Sequence, residues 1–371
     1  MRIAPPLVTL MLLCACGRTG VTVDTSTMLS TSASGTASAT ATATADQAAR
    51  SLMVLDRAIK KSKPGCSAAV GIAGKVVWAD AQGVADLDSG TKITTDTAFD
   101  IASVSKQFTA TAALLLAGAG TLSQDDPVAD HVPGLPAWSR TVTIDQLIHQ
   151  NSGIPDYVGL LYDAGYEDGD RTTNADALKA LAKVKDLEFE PGTQWEYSNS
   201  NYLLLGQVVE AVSGQSLSDF LRAEIFTPLG LNMVLDPARP VPTLAVSYTR
   251  DDGKYAVATT GWEQTGDGSI QTTPSQLVIW ADNYRTGAVG GPKLLAAQVD
   301  GAVTTDADTG DRYGAGIFVG ADGTLEHDGA WAGFLTDFMI SADRSHAVAV
   351  SCNSDHQDPT AIAGELAEIW G

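Results

Sequence analysis

Positive charge is scarce in this chain of 371 residues, which has 23 Lys and Arg against 44 Asp and Glu, and a net charge of −21. Nucleic-acid binding needs a basic face, so this balance argues against that class of protein. It equally disfavours attraction to anionic lipid headgroups. No phosphate loop or dinucleotide fingerprint is present, and four of the five His are isolated, without metal-ligand spacing. We therefore expect no metal or cofactor and no nucleic-acid partner.

The N-terminal hydrophobic run is short. It extends from Leu7 to Leu13 after Arg2, too short to span a bilayer and typical of a secretory signal. It ends in L-C-A-C-G, which resembles a bacterial lipobox in which Cys16 would be lipidated and become the mature N-terminus. A plain secretory signal, or cleavage elsewhere, is the alternative. We expect a signal peptide over residues 1–15 and an exported lipoprotein, anchored in a membrane and facing the periplasm or the cell surface.

The stretch after Cys16 is rich in Ser, Thr, Ala and Gly, with "SASGTASATATATA" at its centre. Such a composition cannot bury a core and is typical of a flexible tether. We therefore expect a lipid-anchor and linker segment over residues 16–47 and a folded domain over residues 48–371.

Cysteine is also scarce, with four in the chain. Beyond Cys14 and Cys16, only Cys66 and Cys352 remain. In an oxidising compartment they can form a disulfide, and as free thiols they would pack as small buried hydrophobes. Composition alone leaves both possibilities open.

Strand patterns occur near both ends of the folded domain, and helical patterns fill its middle. The first helix is predicted over residues 48–61 and the last over 359–370. The simplest arrangement is an α+β fold with a central antiparallel sheet formed by both chain ends, flanked by helices. An all-helical lobe is inserted over about residues 107–250. This topology would bring Cys66 close to Cys352.

Ser103 and Lys106 occupy the first turn of a predicted helix that is apolar from Phe108 onward. Residues three apart share a helix face, so the Lys106 ammonium can reach the Ser103 hydroxyl. The pattern alone is weak, because Ser89 and Lys92 have the same spacing in a predicted turn. Ser103 differs because it starts a buried helix.

Two further patterns strengthen the case for a catalytic site. Tyr197-Ser198-Asn199 precedes an apolar helix, and His327-Asp328-Gly329 lies on or beside a late strand. Ser-x-x-Lys, Tyr-x-Asn and His-x-Gly in this order resemble the serine hydrolases of the class C β-lactamase superfamily, with its D,D-peptidases, D-aminopeptidases and family VIII-type esterases. The stretches "TIDQLIHQNSGIPDY" and "GDGSIQTTPSQL" carry the same resemblance, which extends over about residues 50–371.

The resemblance implies a role for each residue. Ser103 would be the acylated nucleophile, and Lys106 would act as base or stabilise the anion. Tyr197 would relay protons, with phenolate character if two cations lie nearby. Asn199 would bind Lys106 and the substrate. The backbone N–H groups of Ser103 and Ala330 would form the oxyanion hole.

One difference separates this chain from dedicated β-lactamases, which have Lys-Thr-Gly where this chain has His327, Asp328 and Gly329. A histidine of ordinary pKa is mostly neutral at pH 7, although Asp328 beside it could hold the imidazole charged. The strand is expected to bind substrate through His327 and Gly329. A permanent cation for a substrate carboxylate is missing, which makes β-lactam hydrolysis less favoured than ester or peptide hydrolysis.

The sequence therefore predicts an enzyme, a serine hydrolase that works through a Ser103 acyl-enzyme on small esters, amides or D-amino-acid peptides. One alternative is a D,D-carboxypeptidase or weak class C-type β-lactamase. Another is a catalytically weak protein that binds cell-wall peptides. The expected partners are an ester, amide or peptidoglycan-like substrate and, through the lipid anchor, a membrane. The natural substrate and the oligomeric state are left open.

Overall fold

A computed structural model describes residues 43–258 and 260–371. Its α-helices are α1 Ala45–Ala58, α2 Lys106–Gly118, α3 Ile144–Ile148, α4 Tyr157–Asp163, α5 Asn174–Leu181, α6 Asn199–Ser213, α7 Leu217–Leu221, α8 Thr227–Leu229, α9 Pro274–Trp280, α10 Asn283–Thr286, α11 Gly291–Val299 and α12 Pro359–Trp370. A 3₁₀ turn over Ala102–Ser105 leads into α2, and a π-helical segment over Arg222–Phe226 joins α7 to α8.

The strands are β1 Cys66–Ile72, β2 Lys75–Gln82, β3 Val84–Asp86, β4 Thr91–Lys92, β5 Phe99–Asp100, β6 Val234–Leu235, β7 Tyr248–Asp251, β8 Lys254–Val257, β9 Ile270–Thr272, β10 Val303–Thr304, β11 Arg312–Tyr313, β12 Phe318–Val319, β13 Leu325–Trp331, β14 Phe334–Ile340 and β15 His346–Cys352. The large sheet has the order β10-β11-β12-β13-β14-β15-β1-β2 and is antiparallel throughout. The fold class is the predicted one, because strands from both chain ends meet at β1 and β15.

The two faces of the sheet carry different layers of helices. Alternate residues of β1 point to opposite sides: Cys66, Ala68 and Val70 pack with the cluster under α1 and α12, whereas Ala69 packs with the larger core beneath α2 and α9. Because both sides are covered, β1 is buried along nearly its whole length.

A lobe made mainly of helices follows the first strands, but it is not all-helical over residues 107–250 as predicted, because β6 and most of β7 fall within that range. It is built on α2, which packs against α6, and on α3 and α7, which pack on α6 in turn. Almost every side chain of α2 is buried, because its sequence is apolar all round. Gly120, with a φ of 73°, adopts the left-handed conformation that prevents α2 from continuing.

The first helix begins at Ala45, three residues before the predicted start, and ends at Ala58 rather than at residue 61. Thr44 and Gln47 form a reciprocal capping box that satisfies N–H groups at the helix start. The predicted linker therefore extends into this helix. Within the part of the chain that the structure describes, no helix combines the length and apolarity needed to cross a bilayer.

Candidate active site

Ser103 lies in a strained turn at the edge of a cavity. Ala102, the residue before it, has a φ of 47°, which side-chain-bearing residues seldom adopt. The Ala102 N–H donates a 2.8 Å hydrogen bond to Oδ1 of Asp100, which holds this conformation. The 3₁₀ turn then continues into α2, which places Lys106 one turn beyond Ser103.

The Lys106 ammonium is fully buried, and three acceptors surround it. Its Nζ lies 3.0 Å from Ser103 Oγ, 2.8 Å from Asn199 Oδ1 and 2.7 Å from the Asp267 backbone oxygen. Burial lowers the pKa of Lys106 to about 8, although the carboxylates of Asp267, Asp156 and Asp328 act to raise it. Lys106 therefore has a neutral form at mildly alkaline pH, beside the Ser103 hydroxyl.

Asn199 is held between Lys106 and a carboxylate. Its Nδ2 and backbone N–H each donate a 2.9 Å hydrogen bond to Oδ2 of Asp156. The other oxygen of Asp156 accepts the Val158 N–H at 2.8 Å and caps α4. One amide N–H of Asn199 is therefore engaged by Asp156, and the second is the one left for a substrate.

The Tyr197 hydroxyl is buried and has no hydrogen-bond partner among the described residues. The Lys106 Nζ lies 4.8 Å from the centre of the Tyr197 ring. Burial raises the pKa of Tyr197 well above its ordinary value, and the nearby Ser103 hydroxyl opposes this only in part. Phenolate character was expected only if two cations lay nearby, and the raised pKa instead favours the neutral phenol.

His327 does not reach the cavity. It is 1% exposed, and its Nε2 lies 3.2 Å from the Tyr313 hydroxyl while Nδ1 lies 2.6 Å from the Asp328 backbone oxygen. This pattern assigns the proton to Nδ1 and makes Nε2 the acceptor. Burial, followed by the charge of Lys106, lowers the pKa of His327 to about 4.

A direct substrate contact was expected of His327, but its side chain does not line the cavity. The imidazole was expected to be mostly neutral at an ordinary pKa, and burial favours the neutral form further. The side chain lies on the buried face of β13, whereas Asp328 lies on its exposed face. The imidazole ring is 6.2 Å from the Tyr197 ring and packs behind it. His327 therefore contacts Tyr197 and Tyr313 and does not line the cavity.

Gly329 brings β13 against the nucleophile turn. A β-carbon at this position would lie 2.4 Å from the Ile101 backbone oxygen and 3.1 Å from the Ser103 nitrogen. Only glycine permits so close an approach, and it places the next residue, Ala330, at the cavity beside Ser103. The two residues expected to form the oxyanion hole thus share one cavity.

The cavity has a volume of about 60 Å³. Its lining residues are Ala102, Ser103, Tyr157, Val158, Asn199, Trp262, Gln264, Asp267, Gly268, Ser269, Ala330 and Trp331. Among these described residues, Asp267 alone has a carboxyl side chain, and burial raises its pKa although the charge of Lys106 opposes this shift. Oδ2 of Asp267 accepts a 2.9 Å hydrogen bond from the Tyr157 hydroxyl.

Sequence reasoning did not single out Asp267, Tyr157 or Asp156. All three fall within stretches quoted for the resemblance, "TIDQLIHQNSGIPDY" and "GDGSIQTTPSQL". A carboxylate or tyrosine in a loop carries no local signal of what it faces, so only their place in the stretches that carry the resemblance pointed to them.

The remaining predicted residues lie away from the cavity. Cys66 and Cys352 are paired across β1 and β15 and joined by a disulfide. Ser89 lies in an exposed turn, where its hydroxyl donates to Asp86 Oδ2 and not to a lysine. Cys16, the predicted lipidation site, lies outside the described residues.

Comparison with known proteins identifies the family. The β-lactamase family matches residues 39–369. Penicillin-binding protein 4* of Bacillus subtilis is 28% identical over 312 residues, which are 76% of this chain and 66% of that protein. A D-aminopeptidase of Cereibacter sphaeroides is 28% identical over 331 residues, 86% of this chain and 63% of that protein. The chain thus spans just under two thirds of the length of these relatives.

A solved structure has the same fold. The D-amino acid amidase of Ochrobactrum anthropi SV3, complexed with D-phenylalanine, superposes with a TM-score of 0.76 at 22% identity, over 88% of this chain and 99% of that one. With the family match over most of the chain, the chain therefore belongs to the β-lactamase family, the superfamily of serine hydrolases that its motifs resemble.

Proposed function

We propose that this chain is a serine hydrolase that acts through a covalent acyl-enzyme on Ser103 and cleaves small esters, amides or D-amino-acid peptides. The observation that carries the proposal is the buried Lys106 amine, 3.0 Å from Ser103 Oγ and with its pKa lowered to about 8. A lysine of ordinary pKa would almost always be protonated near neutral pH and could not accept the serine proton.

Acylation follows from this arrangement. Neutral Lys106 takes the Ser103 hydroxyl proton as Oγ bonds to the substrate carbonyl carbon, and the carbonyl electrons move to oxygen. Backbone N–H groups of Ser103 and Ala330 hold that oxyanion, and removing one such donor costs about 3 kcal/mol. The bond to the leaving group then breaks, and the leaving group takes a proton from neutral Tyr197. Tyr197 regains a proton from protonated Lys106.

Deacylation repeats these steps with water as the nucleophile. Lys106 takes a proton from the water as it attacks the acyl carbon, and the bond to Ser103 Oγ breaks. Ser103 Oγ recovers a proton from protonated Lys106, and the free acid leaves.

The relatives' names support a hydrolase of amides or peptides, since they include a D-aminopeptidase and a D-amino acid amidase. Efficient β-lactam turnover is disfavoured, because His327 is neutral and buried and provides no cation for a substrate carboxylate.

A substrate panel tests the proposal. Wild-type protein should hydrolyse 4-nitrophenyl acetate or an amino-acid 4-nitroanilide, and Ser103→Ala should lose this activity while melting at the same temperature. Rapid nitrocefin turnover would overturn the account of His327. A stable fluorescent-penicillin adduct without hydrolysis of the other substrates would favour a D,D-peptidase. Absence of turnover and of any adduct would favour a binding protein.

We further propose that the protein is exported and anchored through a lipid on Cys16. Support comes from the short apolar run before Cys16 and from the disulfide between Cys66 and Cys352, a bond typical of oxidising compartments. Metabolic labelling with an alkyne fatty acid should mark the wild-type protein in the membrane fraction. Cys16→Ala should abolish the label, and Cys14→Ala is the matched control. Equal labelling of Cys16→Ala would refute the anchor.

A further inference from the structure

Asp267 presents an incompletely paired carboxylate at the candidate active site. Its Oδ2 accepts the Tyr157 hydroxyl, but Oδ1 is shielded from solvent and has no hydrogen-bond partner in the described residues. Lys106 does not pair with this carboxylate, because its ammonium bonds to the Asp267 backbone oxygen instead. A buried carboxylate oxygen without a partner is unfavourable, which makes the site receptive to a cation.

Aromatic rings form the wall beside this carboxylate. Trp262 and Trp331 both line the cavity, with ring centres 5.8 Å apart. The faces of indole rings attract ammonium groups, and the attraction grows when water is displaced. A carboxylate and indole rings that line one cavity are the two features that favour binding of an organic cation.

The wider charge distribution points the same way. Lys106 is the cation nearest the nucleophile, and the carboxylates of Asp267, Asp156 and Asp328 all act on it. Negative charge thus exceeds positive charge around the cavity. A substrate carboxylate would be repelled there and an ammonium attracted.

We propose that Asp267 is a specificity-determining residue that reads the free ammonium group of the substrate's acyl part. The substrate class is then esters, amides or peptides of an amino acid with an unblocked amino group. Ser103 and Asp267 line the same cavity, so the reacting carbonyl and the ammonium on the adjacent carbon can lie in it together. This inference rests on the proposed function, since it names the acyl group delivered to Ser103.

Ligand binding to Ser103→Ala protein tests the inference without turnover. The probes are D- and L-alaninamide and isobutyramide, in which a methyl group replaces the ammonium. By calorimetry, at least one alaninamide should bind about 10-fold or more tightly than isobutyramide. Adding Asp267→Asn should remove this difference and leave isobutyramide binding unchanged.

Asp328→Asn is the matched control. It removes a carboxylate that also acts on Lys106 but lies on the exposed face of β13 and does not line the cavity. The preference for alaninamide should persist in this variant. Melting temperatures establish that each variant is folded. Equal binding of alaninamide and isobutyramide in the Ser103→Ala protein would overturn the inference, as would a preference that survives Asp267→Asn.

Kinetics separate this inference from the proposed function. Wild-type protein is compared on alanine 4-nitroanilide and isobutyryl 4-nitroanilide. Turnover of both with equal kcat/KM would leave a serine hydrolase but contradict the role of Asp267. Absence of turnover with a retained binding preference for alaninamide would remove the proposed hydrolysis and support ammonium recognition.

Discussion

At the scale of single residues, the protonation of Lys106 governs the chemistry. Burial alone would make a lysine neutral, and the surrounding carboxylates act against this, so the pKa settles at about 8. Tyr197, whose hydroxyl is buried without a partner among the described residues, has a raised pKa and stays protonated, as the donor and relay role that we propose for it requires. In this proposal the base and the acid of the reaction are different side chains.

The pH dependence of kcat/KM should follow Lys106. Because the neutral amine is the base, activity should rise with pH and level off above a midpoint near 8. The measurement uses an uncharged anilide between pH 6 and 10. Asp328→Asn removes a charge that raises the Lys106 pKa, so its midpoint should lie at lower pH. A rate that stays constant or falls over this range would show that Lys106 is not the base.

His327 should remain neutral down to a pH near 4, the value to which burial lowers its pKa. Imidazole ¹⁵N NMR, assigned with His327→Gln, measures this directly. The unfolded chain takes up a proton near pH 6.5 while the folded protein does not, so this residue reduces stability as pH falls from about 6.5 to 4. His327→Gln should lose that part of the pH dependence. Titration of His327 near 6.5 or above would contradict its burial.

Sequence reasoning finds residues whose roles depend on local spacing. Ser103 and Lys106 lie one helical turn apart, and the structure places them in contact. His327 was misjudged because its place on a strand does not reveal which face it occupies until the neighbouring strands are known. Asp267 was missed for a related reason, since what its carboxylate faces is set by distant segments.

At the scale of elements, β13 must lie directly against the turn that carries Ser103. Gly329→Ala would place a β-carbon 2.4 Å from the Ile101 backbone oxygen, so the strand has to move away. We expect kcat/KM to fall by roughly 100-fold, as for the loss of an oxyanion donor, and the melting temperature to drop.

Gly364→Ala is the control for this variant. Gly364 lies within α12, and a β-carbon there meets nothing within 4 Å. Alanine is favoured over glycine in a helix by about 1 kcal/mol, so stability should be equal or higher and activity unchanged. Wild-type activity in Gly329→Ala would refute the close approach of β13.

Elements with strong end signals were predicted well. α12 extends over Pro359–Trp370, as predicted, with Asp358 as its cap, and Thr143 caps α3 in the same way through a capping box. The start of α1 was misplaced because its first turn belongs by composition to the Ala- and Thr-rich linker. The π-helical segment after α7 gives no signal in the sequence, since tertiary packing selects it.

At the scale of the whole molecule, a disulfide joins two adjacent strands that come from opposite ends of the folded domain. The disulfide joins β1 to β15 across 286 residues, on the face that packs under α1 and α12. A loop of this length restricts the unfolded chain strongly, so the bond contributes up to about 5 kcal/mol. The Cys66→Ala/Cys352→Ala double variant should melt at lower temperature and keep its kcat/KM at 25 °C. Loss of activity in protein that is still folded would show that the bond also shapes the active site.

The sheet formed by both chain ends could be predicted because the longer strand patterns occur near both ends of the folded domain. Short pairings such as β5 with β9, which help to position the nucleophile turn, could not, because strands of two or three residues have no periodicity to detect. The cavity could not be predicted either, because its lining residues come from segments more than 200 residues apart in the sequence.

The central claim is that Ser103 is an activated nucleophile, and intact-mass spectrometry after treatment with a fluorophosphonate tests it most directly. The wild-type protein and Ser89→Ala should each gain one adduct, mapped to Ser103 by peptide analysis, and Ser103→Ala should gain none. An unlabelled wild-type protein, or an adduct that persists in Ser103→Ala, would contradict the account.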